Sequence, residues 1–122
     1  MKAFISPYKV KEWKINKSEF IESLEKGFAK IEIKQINNEN RKFCLEWSIK
    51  INDSIYIEGM LDKTLNCVYF ETNDVEWGYT FSKWVRKFMP KDEEIIIYDE
   101  SYDIVEKLDE NTNKNIIISK FS

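Results

Sequence analysis

The 122-residue chain contains no histidine. Its absence removes the commonest general base and the commonest transition-metal ligand, and with them any Ser-His or Cys-His dyad. Any catalysis would have to run on carboxylates or lysines. Only two cysteines are present, Cys44 and Cys67, and neither belongs to a C-x-x-C pair. A strand is expected to lie between them, which puts them roughly 10 Å apart, beyond disulfide reach. They read as ordinary sheet cysteines, and with no disulfide-rich spacing they suggest a reducing, cytoplasmic setting. No apolar run is long enough to span a bilayer, and Met1–Pro7 is too short in apolar residues for a signal peptide. Glycine-rich phosphate loops are missing too, so Lys11, Lys14 and Lys17, and Lys83, Arg86 and Lys87, read as solvated basic patches. No internal repeat, linker or low-complexity segment interrupts the chain. No cofactor is implied.

What the chain has is aromatic residues, at 15%, and charge, at 34%. Its length fits one domain spanning 1–122 with a core of its own. The richest stretch is Asp74–Pro90. Trp77, Phe81, Trp84, Val85 and Phe88 fall on one helical stripe, with Asn73 or Asp74 able to cap the start and Pro90 to stop the helix. The alternation of Val75, Trp77, Tyr79 and Phe81 offers a competing strand, but Phe81–Met89 fits none. Asn16–Ala29 predicts another helix, with Asn16 and Glu19 at capping-box spacing and Phe20, Ile21, Leu24 and Phe28 on its apolar side.

Strands fill the rest: Lys2–Ser6, Ile31–Ile36, Phe43–Ile51, Ile55–Leu61, Thr64–Glu71, Glu94–Tyr98 and Ile116–Ile118. Tyr102–Leu108 is either a strand or a loose turn. In the hairpin about Asn52-Asp53-Ser54, a register pairing Ile49 with Ile57, Trp47 with Gly59 and Leu45 with Leu61 puts every large apolar residue on one face. Thr64–Glu71 has apolar residues at both parities, so its facing stays open. The order βαββββαββ predicts an α+β fold, a mostly antiparallel meander with two helices on one face. Trp47, Trp77 and Trp84 belong to the interface between sheet and helix, while Trp13, in irregular sequence, is the tryptophan expected to be exposed.

Charge is distributed unevenly. The net charge is −3, yet residues 91–110 hold nine acids against Lys91 and Lys107. Such a segment repels phosphates and argues against nucleic acid. Asp99-Glu100-Ser101-Tyr102-Asp103 follows a buried strand, where functional loops are often presented. Four readings compete there: a solvated loop, a divalent-cation site, a paired-carboxylate catalytic site, and a protein-binding patch. The cluster lacks calcium-loop spacing, and sequence neighbours rarely face each other as catalytic carboxylates do. The patch reading gives Tyr98, Asp99, Glu100, Tyr102 and Asp103 the role of binding a basic protein surface, with Asp92, Glu93 and Glu94 expected nearby. In size, acidity and lack of catalytic residues the chain is similar in type to the immunity proteins that neutralise bacterial toxins, without sharing a family motif. That likeness implies a small cytoplasmic bacterial binding module. The alternatives are a carboxylate-using enzyme or ligand-binding protein with a pocket between helix and sheet, drawing on Asp99, Glu100 or Asp103, and a homo-oligomer formed through an exposed sheet face or the strand Thr64–Glu71.

Overall fold

A computed structural model describes all residues from Met1 to Ser122. In chain order the elements are Lys2–Pro7 (β1), Lys17–Gly27 (α1), Ile31–Gln35 (β2), Phe43–Lys50 (β3), Tyr56–Asp62 (β4), Val68–Thr72 (β5), Val75–Arg86 (α2), Ile95–Tyr98 (β6), Val105–Lys107 (β7) and Lys114–Phe121 (α3). The fold is α+β. Seven strands form one antiparallel sheet in the order β2-β3-β4-β5-β1-β6-β7. The expected meander covers β2 to β5; β1 then slots between β5 and β6.

The hairpin of β3 and β4 has the anticipated register, Ile49 opposite Ile57, Trp47 opposite Gly59 and Leu45 opposite Leu61. Burial settles the facing of β5: Val68, Phe70 and Thr72 turn inward, while Tyr69 and Glu71 turn to the other side. Residues 64–67 are a turn rather than strand, with Leu65 in the left-handed region at φ 61°.

All helices cover one face. Phe20 of α1 packs edge-on against Trp47 at 5.5 Å, and Phe81 of α2 meets Phe70 at 5.2 Å. The α1 cap is Asn16, whose side chain accepts from the Glu19 N–H at 3.0 Å. Asp74 caps α2, accepting from Glu76 N–H at 3.1 Å. Asn73 is used otherwise: it accepts from Tyr56 N–H and donates to the Ser54 carbonyl, tying the hairpin to the helix start.

Two further expectations are corrected by the packing. Ile116–Ile118 is not a strand but lies in α3, a third helix on the covered face, and the ninth element of the order is Val105–Lys107. Three consecutive isoleucines mask an i, i+4 pair, Ile117 and Phe121, which packs into the core while Ile116 stays 44% exposed. Asn113 caps this helix through Asn115 N–H at 2.8 Å. Trp13 is not the exposed tryptophan: it packs against the core, because Ile15 N–H bonds the Leu65 carbonyl at 2.7 Å and Asn66 holds the Lys11 carbonyl. Its indole Nε1 is buried without a hydrogen-bond partner. No helix is long and apolar enough to cross a membrane.

Candidate functional site

Strand alternation gives the sheet a second face with no helix on it. Register aligns its outward side chains in two rows across the strands. One reads Glu32, Ser48, Glu58, Glu71, Lys2; the other reads Lys34, Glu46, Met60, Tyr69, Phe4, Tyr98, Val105. The aromatic members of the second row touch in series. Tyr69 meets Phe4 edge-on at 4.9 Å, Phe4 stacks on Tyr98 at 5.5 Å, and Tyr98 stacks on Tyr102 at 5.0 Å with the rings 8° apart. A row of rings thus runs from the middle of the sheet to the acidic loop at the end of β6.

Tyr98 is half-buried, and its hydroxyl lies 3.0 Å from Ser6 Oγ. Burial pushes its phenol up to about 12, so it is a neutral platform at physiological pH. Tyr102 is 64% exposed and holds a left-handed backbone at φ 60°, a conformation unusual for a bulky residue. The stack on Tyr98 and the hydrogen bond from its N–H to the Asp99 carbonyl at 3.1 Å hold it there.

The predicted acidic residues divide by role. Asp99 is committed to the loop: Oδ1 accepts from Ile104 N–H at 3.0 Å, and Oδ2 lies 3.2 Å from the Ser101 hydroxyl. That hydroxyl is also 2.9 Å from Asp103 Oδ2, and its single proton serves one carboxylate at a time. Glu100 and Asp103 are exposed. Glu100 and Asp99 border an open depression of about 490 Å³ with Lys2, Phe4 and Tyr69, which Asp103 does not line. Asp92, Glu93 and Glu94 precede the opposite end of β6, so they are not beside this patch; Glu93 pairs with Lys11 at 3.5 Å.

The carboxylates do not lie in a pocket between helix and sheet. The space between helices and sheet is filled by Phe20, Trp47, Phe70 and Phe81, all buried, whereas Asp99 and Glu100 border the helix-free face. No group of three or more Asp, Glu or Cys side chains is arranged to hold a metal ion. Cys44 and Cys67 are free thiols, and burial pushes Cys67 up to about 11, which makes it a poor nucleophile.

Phe4, Tyr69, Glu58 and Glu71 join this surface without having been singled out in the sequence. The hairpin register does carry a signal for Glu58, because it turns Glu46, Ser48 and Glu58 outward together. Phe4 and Tyr69 become visible only when β1 is known to lie beside β5 and β6. No protein-family model matches the chain, and comparisons with curated proteins and with solved structures find no significant match.

Proposed function

We propose that the chain is a binding module of the immunity or inhibitor type, which occludes a basic partner protein with the acidic, tyrosine-bearing end of its open sheet face. Its setting in this reading is the bacterial cytoplasm. One observation carries it: the contiguous ring row from Tyr69 to Tyr102 lies on a face that no helix covers and ends among Asp99, Glu100 and Asp103. Rigid aromatic side chains anchor interfaces at low ordering cost, and a carboxylate rim steers a basic partner. Charge then speeds association and the tyrosines slow release.

The test is capture from the source organism's lysate on wild-type protein and on two variants, Tyr102→Gly and Glu100→Gln with Asp103→Asn. Asp99 stays unchanged because its carboxylate builds the loop. Glycine at 102 removes the anchor and suits the left-handed backbone, so lost binding is not lost folding. One protein retained by wild type and released by both variants supports the reading. Equal retention by all three contradicts the choice of surface.

A further inference from the structure

Farther along the same face, Glu58 on β4 stands directly opposite Glu71 on β5. Like charges directly opposed across strands destabilise a sheet. None of the ion pairs in the structure includes either residue. Beside them, the Tyr69 phenol is raised above its ordinary range by burial and then by the carboxylates of Glu71, Glu100 and Glu58. Glu58, Glu71 and Tyr69 border an open concavity of about 470 Å³ centred on β3 and β4. The ring row leads directly into it.

We propose that this part of the face receives an arginine side chain of the partner protein, its guanidinium forked between Glu58 and Glu71 with its flat side on Tyr69. The inference rests on the binding-module reading and names the group that the partner presents. Paired acceptors on neighbouring strands suit a planar fork of donors, and an aromatic face suits a weakly hydrated planar cation; a lysine ammonium, a strongly hydrated point charge, satisfies neither as well. The cations already on the face are Lys2, opposite Glu71, Lys34 at the far edge, and Arg41, whose guanidinium is held by Glu46.

A second copy of the chain is a poor occupant. Its two arginines are spoken for: Arg41 pairs with Glu46 at 2.8 Å, and Arg86 donates to backbone carbonyls beyond α2. Two acidic faces also repel each other. Nucleic acid is repelled for the same reason.

The test is titration of the ¹⁵N-labelled protein with a short peptide of alternating glycine and arginine, and with its lysine counterpart, followed by amide NMR. Shifts should centre on β4 and β5 around Glu58 and Glu71. The arginine peptide should bind about fivefold more tightly than the lysine peptide, and Glu58→Gln with Glu71→Gln should abolish that difference. Tyr69→Leu should reduce it. Equal affinity for the two peptides, shifts that survive the double substitution, or no shift at all would overturn the inference. Shifts confined to residues 99–103 that vanish with Glu100→Gln and Asp103→Asn would overturn it while leaving the acidic-loop surface standing. A dimer in sedimentation that dissociates in Glu58→Gln would assign the face to a second copy, and would also overturn it.

Discussion

Arg86 is the last residue of α2, and its guanidinium gathers the chain that follows. It donates to the carbonyls of Leu108 at 2.9 Å, Met89 at 3.1 Å, Pro90 at 3.0 Å and Glu93 at 3.1 Å. A planar fork can reach several acceptors in different directions, which an ammonium cannot. Arg86→Lys should therefore lower unfolding stability by about 1–3 kcal/mol in urea titration, although the charge is kept. Tyr98 gives a second expectation at this scale. Its phenol is raised to about 12 in the folded protein, against about 10 in an unfolded chain. The folded state thus holds the proton more tightly, and stability is fully present below about pH 10 and lost as pH rises toward about 12. Tyr98→Phe should flatten that part of the alkaline decline; Cys67, raised to about 11, begins its own loss at lower pH. Melting temperatures measured across this range in both proteins decide the matter.

Among the elements, the hairpin of β3 and β4 was the most legible in the sequence. Strict alternation over Phe43–Ile51 and a short polar turn left one register that kept Leu45, Trp47 and Ile49 together, and the pairing of Trp47 with Gly59 followed. A Cβ on Gly59 would lie 2.4 Å from the Trp47 ring. The ring is itself wedged against Phe20 and cannot retreat. Gly59→Ala should cost about 1–3 kcal/mol, read from the urea midpoint, and a neutral result would mean that the indole has room to move. Helix α2 was also legible: Val75–Phe81 alternates like a strand, but Phe81–Met89 fits none, so the helical stripe prevails. The Ile116–Ile118 run was not, because β-branched residues in series favour strand locally and only packing against the core selects the helix. The facing of Val68–Thr72 was hidden for a related reason: Tyr69 is apolar enough to resemble a core residue, yet it belongs to the open face.

For the whole molecule, the sheet has two unlike faces. Its covered face packs on the helices through Trp47 and Phe70, which meet Phe20 and Phe81; its open face carries the ring row and the outward carboxylates. The loop 98–103 was visible in the sequence as acidity next to tyrosine. Its continuation into Phe4 and Tyr69, and through them toward Glu58 and Glu71, was not, because it depends on β1 entering between β5 and β6 from the far end of the chain. An interaction surface should detract slightly from stability, and Glu58→Gln should raise unfolding stability by about 0.2–1 kcal/mol at low salt, with the gain shrinking as salt screens the repulsion.

The most direct measurement of where a partner docks is carboxyl footprinting. The protein alone and the protein bound to its captured partner are treated with a carbodiimide and an amine, and modification is read residue by residue by mass spectrometry. Protection at Glu58, Glu71, Glu100 and Asp103, with Glu22 and Glu25 on the exposed side of α1 still modified, is the predicted result. Protection of Glu22 and Glu25 with the open face left reactive would place the partner on the helices and contradict the account.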